Sequence, residues 1–180
     1  VAFIIFYDNG KMLNESYNAA DEAGYNQIAA NFIEGKGMHT DNGLYARRGP
    51  VYPLFLSVAY VFFPKRSIVP IRFAQAFIGA LTCIIIYVIG FLMFGELTGV
   101  LSAFICAVYY PFILQPSYLL PEVVFTFFLS LGMLGLLAYY RIRNLGILFA
   151  TSVILGIAAL CRGVVLPFAV LVLAWLCLLY

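Results

Sequence analysis

Five long apolar stretches follow one another through the second part of the chain. They run from Phe73 to Phe94, Leu97 to Leu114, Val123 to Tyr140, Leu145 to Leu160 and Val164 to Tyr180. A hydrocarbon core about 30 Å thick needs roughly 20 apolar residues as a helix, so each stretch predicts a spanning helix. An unpaired strand could not satisfy its backbone groups in lipid. The run from Val51 to Phe63 has only 13 residues and is bracketed by Pro50 and Pro64, which predicts a helix at the membrane surface or a re-entrant one. At the start, VAFIIFY reads as the tail of a further spanning segment; no basic region precedes it and no small-residue cleavage site follows, so it is not a signal peptide. A different period occurs in DEAGYNQIAANFIEGKG, where Tyr25, Ile28, Ala29, Phe32 and Ile33 recur at helical spacing. That spacing predicts an amphipathic helix lying along the membrane, capped by Asp21 and stopped by Gly35 and Gly37. The expected fold class is an all-α, polytopic integral membrane helical bundle. Residues 1–7 would end the first span, 8–70 would form an outer loop with interfacial helices, and 71–180 would hold about five spans. Both ends are cut in apolar runs, so the chain reads as the N-terminal part of one larger domain.

Charge sharpens this picture. The composition is 64% hydrophobic and only 10% charged, against about 25% charged in soluble domains. The mean hydropathy is +1.01. Thirteen of the 18 charged side chains lie in residues 1–72, and the remainder are Glu96, Glu122, Arg141, Arg143 and Arg162. A net charge of +2 is too small to argue for nucleic acid. Cys83, Cys106, Cys161 and Cys177 stand singly in apolar stretches, without a C-x-x-C pair, and read as small packing residues. Arg141 and Arg143, in the tight YYRIRNLG connection, give the best signal for the cytoplasmic side. Counting back by helix parity puts residues 8–70, the Pro111 to Glu122 connection and Arg162 outside. Arg47, Arg48, Lys65, Arg66 and Arg162 then break the positive-inside rule, and an anionic ligand would explain them. If Val51 to Phe63 spanned instead, Arg141 and Arg143 would face outward.

Three stretches carry a family likeness. DEAGYNQIAANFIEGKGM resembles a first-loop pattern of D-E-x-x-Y, an Ile-Ala pair and G-x-G; RRGPVYPLFL is similar to an Arg-x-Pro-Leu-Tyr-Pro segment; SYLLPEVVFTFFL and GIAALCRG resemble S-x-x-L-x-[TS]-E and G-L-A-x-L-[TS]-R-P. Together, in this order, they resemble the GT-C-type glycosyltransferases that use polyprenyl-phosphate sugars, a group (glycosyltransferase family 39-like) containing the protein mannosyltransferases and the aminoarabinose transferases of lipid A. Pro121, Cys161 and Gly163 depart from the pattern, and none of them removes a charged position. The resemblance implies a membrane enzyme of the cell envelope, in the plasma (inner) membrane. Its active site would face the periplasm or lumen, and its partners would be a polyprenyl-phosphate-linked sugar, the lipid bilayer and an acceptor protein, lipid or glycan.

Sugar transfer from a lipid phosphate requires a base for the acceptor proton and positive charge around the departing phosphate. Asp21 matches the first-loop aspartate and is the expected base, with Glu22 its alternate. Glu122, at the start of a helix, would face Asp21 and orient the acceptor or pair with an arginine; its structural role would be to complement the helix dipole. Arg48 and Arg162 are the expected phosphate partners, because guanidinium stays charged and grips phosphate through two hydrogen bonds. Arg47, with Lys65 and Arg66, would reach the phosphate or lipid head groups. No cofactor is expected. Hard oxygen ligands at Asp21, Glu22 and Glu122 would suit a divalent cation, yet the chain has no D-x-D pair and His39 is its one histidine. The alternative function is a transporter or flippase of a lipid-linked or anionic solute; charges at the midplane and internal repeats would mark it, and this chain shows neither pattern. A non-catalytic scaffold would not need Asp21, Arg48, Glu122 and Arg162 to converge.

Overall fold

The computed structural model describes residues 19–39, 48–63 and 68–179. The tail of the first span, Arg47, Lys65, Arg66 and Tyr180 lie outside the described residues. Among the described residues the elements are helical: α1 (Ala19–Ile33), α2 (Val51–Phe62), α3 (Ile68–Phe94), α4 (Glu96–Val108), α5 (Tyr110–Leu114), α6 (Glu122–Ile142), α7 (Leu145–Cys161) and α8 (Leu166–Leu179). Short 3₁₀ turns at Gln115–Ser117 and Gly163–Val165 complete them. The all-α membrane bundle expected from the sequence is the fold observed.

α3 and α6, with 27 and 21 residues, are long and apolar enough to cross a membrane. α7, with 17 residues, meets the lower edge of spanning length, and α8 is shorter at 14. The run Leu97 to Leu114 is not one straight span. It divides into α4 and α5, and the segment Tyr110–Ser117 is bent by 57° from α4. Pro111 is the cause: it has no N–H to give the carbonyl of Ala107 and its ring crowds that carbonyl, so the helix breaks at Tyr109, which is extended at φ −67° and ψ 113°.

Small residues let these helices approach. A Cβ on Gly90 would sit 3.1 Å from the Gly99 Cα, bringing α3 and α4 into backbone contact. Between α6 and α7, a Cβ on Gly135 would meet Thr151 Oγ1 at 2.3 Å and one on Gly132 would meet Leu155 at 2.3 Å. Tight turns fix the alternation. Gly95 joins α3 to α4 at φ +92°, and Arg143 closes α6 in the left-handed region at φ 56° while the Asn144 side chain caps α7 by accepting from the Gly146 N–H at 2.7 Å. Arg141 donates to the Leu92 carbonyl at the same end.

α3 and α6 therefore run away from one end of the bundle, and α4 and α7 return to it. That end carries α1, α2, the 115–121 connection and Arg162; the other carries Glu96, Arg141 and Arg143. A buried cluster of Ala29, Tyr52, Leu56, Ile71, Leu119, Val124, Ala158 and Cys161 welds the first end together.

α2 begins after Pro50 and has 12 residues, too few to span, as its flanking prolines predict. It crosses α1, and Ser57 Oγ lies 3.3 Å from the Ala29 carbonyl while the Tyr60 hydroxyl donates to Asn26 Oδ1 at 2.8 Å. The apolar stripe expected on α1 is only partly the buried one. Ile28 and Ala29 are buried, but Phe32 and Ile33 are exposed at 43% and 44%, whereas Asn31, off that stripe, is buried. The reason is that α2 covers the middle of α1 and leaves its last turn projecting, while Asn31 is drawn in by donating to the His39 carbonyl at 3.0 Å. Asp21 stands within the first turn of α1 and not at its cap. Gly35 and Gly37, at φ +74° and +94°, end the helix as expected.

Candidate active site

Ion pairs of Arg48 with Asp21 and of Arg162 with Glu122 form at the α1–α2 end. Arg48 Nη2 donates to Asp21 Oδ1 at 2.8 Å, and its Nη1 donates to the Asp21 backbone carbonyl, also at 2.8 Å. Arg162 Nη1 donates to Glu122 Oε1 at 2.8 Å. Each pair joins residues remote in sequence: α1 with the start of α2, and the start of α6 with the end of α7.

The Arg48 guanidinium is seated from below. It lies over the Tyr25 ring, 4.5 Å from the centroid, and Tyr25 packs edge-on against Tyr52 with centroids 5.1 Å apart. Gly24 leaves the room, since a Cβ there would lie 2.7 Å from Arg48 Nη2. The arginine side chain is only 15% exposed, whereas Asp21 is 64% exposed. Asp21 is thus open to an incoming molecule. An exposed pair of this kind adds only about 0–1 kcal/mol to stability, so its main consequence is placement.

The two pairs belong to one region. Gly49, beside Arg48, presses against the end of α7, where a Cβ would lie 2.2 Å from the Leu160 carbonyl and 2.7 Å from that of Cys161. Arg162 is the next residue. Cys161 Sγ in turn lies 3.7 Å from the Pro121 carbonyl, next to Glu122. Electrostatics agree. Burial pushes the Tyr25 phenol above its usual range, the Arg48 guanidinium opposes the rise, and the carboxylates of Glu122 and Asp21 both add to it. Burial raises Tyr52 well above its usual range too, with Tyr60, Glu122 and Glu22 contributing.

The sequence-derived candidates Asp21, Arg48, Glu122 and Arg162 therefore lie in one region, and Arg48, Glu122 and Asp21 are near enough to Tyr25 to affect it. Glu22 is 2% exposed and sits beneath, near enough to Tyr52 to affect it. Glu122 keeps its second oxygen, Oε2, buried and without a hydrogen-bond partner. Among the described residues no three His, Cys, Asp or Glu side chains converge as metal ligands, so Asp21, Glu22 and Glu122 do not form one coordinating set. His39 is occupied locally, its Nε2 lying 2.9 Å from the Lys36 carbonyl.

Sequence reasoning missed the support beneath these charges. Gln75, fully buried on α3, accepts from the Tyr52 hydroxyl at 2.7 Å and donates to the carbonyls of Pro116 and Tyr118 at 3.0 and 2.8 Å. Arg72, one turn earlier, is 3% exposed. A polar residue inside the apolar run from Phe73 was the available signal for Gln75, and Arg72 falls just before that run.

An apolar cavity of about 510 Å³ opens between α3, α6 and α8, bordered by Ile89, Leu136, Tyr140, Phe168 and Trp175.

No curated protein and no solved structure matches this chain. The sequence model of the family described as dolichyl-phosphate-mannose-protein mannosyltransferase matches residues 43–180, a span that includes Arg48, Glu122 and Arg162. The chain belongs to that family, and it is accordingly an integral membrane glycosyltransferase that uses a lipid-linked sugar donor.

Proposed function

We propose that the chain moves a sugar from a polyprenyl-phosphate donor to an acceptor hydroxyl or amine at the outer, periplasmic or lumenal face of the membrane. The observation that carries this reading is the meeting of Asp21–Arg48 with Glu122–Arg162 at one end of the bundle, opposite Arg141 and Arg143. Placing Arg141 and Arg143 in the cytoplasm supports an outward site. Family membership favours a protein acceptor and mannose as the sugar.

In this reading the acceptor approaches the exposed Asp21. Its O–H proton passes to the Asp21 carboxylate as its oxygen forms a bond to the sugar C1. The bond from C1 to the phosphate oxygen breaks, and polyprenyl phosphate leaves carrying the electron pair. Arg48 and Arg162 stabilise the charge that grows on the phosphate; Arg162 can exchange Glu122 for phosphate without moving far. Glu122 then has both oxygens available to orient the acceptor. Glu22 supports the base from beneath. Arg47, the neighbour of Arg48 in sequence, adds positive charge for the phosphate. No cation is required, since the arginines supply the positive charge. The apolar cavity along α8 would take the prenyl chain, because α8 starts just beyond Arg162 and the cavity follows it from Phe168 to Trp175.

The test is a donor titration on the full-length enzyme with Arg48→Ala, Arg162→Ala and the two lysine variants. A charged hydrogen bond contributes about 1.5–3 kcal/mol, so each alanine variant should weaken donor binding by roughly tenfold or more and slow transfer with it. Lysine should restore only part, as it lacks the planar fork. Unchanged donor affinity and turnover in both alanine variants would remove the phosphate assignment and favour a transporter or scaffold.

A further inference from the structure

Gln75 stands on neither ion pair, yet hydrogen bonds from its one amide reach both halves of the site. Toward α1 and α2 it accepts from the Tyr52 hydroxyl at 2.7 Å; Tyr52 supports Tyr25, and Tyr25 seats Arg48, which holds Asp21. Toward α6 it donates to the carbonyls of Pro116 and Tyr118 at 3.0 and 2.8 Å, in the connection that leads into Pro121 and Glu122. Both Gln75 and Tyr52 are 0% exposed. Three separate segments are therefore fixed by one buried side chain, where a lost partner leaves a polar group unsatisfied.

The chemistry of the amide is specific to this task. A carboxamide supplies two N–H donors for two carbonyls and one acceptor for a hydroxyl at the same time. No apolar side chain satisfies any of the three. Glutamate in its charged form would still accept from Tyr52 but would face both carbonyls with negative oxygens. Protonated, it would regain one donor.

We propose that Gln75 is a positioning residue for sugar transfer: its amide sets the spacing between the Asp21–Arg48 half and the Glu122–Arg162 half. The inference rests on the proposed roles of those four residues, while the amide itself touches neither donor nor acceptor. Its loss lets the 115–121 connection move relative to α2, and a misplacement near 1 Å costs on the order of 10²-fold in rate.

The experiment measures donor affinity and turnover across a pH series for the full-length enzyme carrying Gln75→Leu, Gln75→Glu or Tyr52→Phe, with Arg162→Ala alongside. Gln75→Leu is expected to lose roughly 10²-fold in turnover and to bind donor more weakly, because Arg48 and Arg162 no longer close on one phosphate. Tyr52→Phe, which keeps both carbonyl contacts, should lose less. Gln75→Glu supplies the decisive readout: a buried acid holds its proton to higher pH, so its activity relative to the parent enzyme should fall about tenfold or more as pH rises and return on reacidification. That reversible change is read on one folded protein, so it decides the matter even if Gln75→Leu fails to accumulate. Normal turnover in Gln75→Leu, or a Gln75→Glu profile parallel to the parent at every pH, would overturn the positioning role. Unchanged donor affinity in Arg162→Ala together with the expected Gln75 results would instead remove the phosphate assignment and leave the spacing role standing.

Discussion

Gly49→Ala perturbs the junction of the two ion pairs without touching any charge. A Cβ at this position would lie 2.2 Å from the Leu160 carbonyl, 2.7 Å from the Cys161 carbonyl and 3.1 Å from the Cys161 carbonyl carbon, whereas ordinary contact begins at 3.4 Å. The clashing atoms are backbone, held at the end of α7, and cannot rotate away as a side chain would. The loop carrying Arg48 must therefore move from Arg162 by about 1 Å, a displacement that costs on the order of 10²-fold when it separates groups that act together. Overpacking of this kind costs roughly 1–3 kcal/mol in stability, which a bundle of this size can survive. The assay is transfer of labelled sugar by the full-length enzyme in bilayers, at saturating and limiting donor, with a thermal unfolding midpoint on each sample. Gly156→Ala is the matched control. It lies on α7 with nothing within 4 Å of its new Cβ and should leave turnover within about twofold of the parent, because Ala is the better helix former. A folded Gly49→Ala enzyme with parental turnover would refute the claim that the two pairs work as one site.

Gly24→Ala should lift the Arg48 guanidinium from its seat, since the new Cβ would lie 2.7 Å from Nη2; donor affinity should fall while Arg162 stays paired, as a donor titration would show. Tyr25→Phe should keep donor affinity within about threefold, because the ring face that holds Arg48 remains, whereas Tyr25→Ala removes a contact of about 0.5–2 kcal/mol and should weaken donor binding by about two- to thirtyfold. Tyr25 and Tyr52 both have phenols raised in the folded protein, so their neutral forms favour folding. Their contribution is complete below the unfolded phenol range near 10 and is lost as pH climbs beyond it, so unfolding midpoints should be level from about pH 7 to 9 and fall above about 10; Tyr25→Phe should make that fall shallower.

The bundle was legible because lipid leaves few options. Apolar runs of spanning length had to be helices, and the parity argument from Arg141 and Arg143 put Asp21, Arg48, Glu122 and Arg162 at one end, where their pairing is found. The break at Tyr109 was harder to see, because Pro111 interrupts a run that stays apolar throughout. On α1, apolar spacing gives one membrane-lying stripe but carries no record of where α2 crosses, which buries Ile28 and Ala29, leaves Phe32 and Ile33 exposed and has Asn31 buried against the His39 carbonyl. Gln75 stands out as a polar residue in an apolar run, but its role could not be read there. Its partners are two backbone carbonyls and a hydroxyl more than 20 residues away, and sequence spacing carries no record of such contacts. The same holds for Gly49, whose role comes from the backbone of another helix.

Asp21→Asn tests the central claim most directly. Asparagine keeps an oxygen able to accept from Arg48 Nη2, so the pair's geometry and the donor arginines are retained while the proton acceptor is lost. Donor titration and turnover on the full-length enzyme should then separate. Turnover should fall by about 10²–10⁴-fold, with donor affinity within about twofold of the parent. An Asp21→Asn enzyme that transfers sugar at a near-parental rate would contradict the account, and loss confined to Glu22→Gln would assign the base to the neighbouring carboxylate.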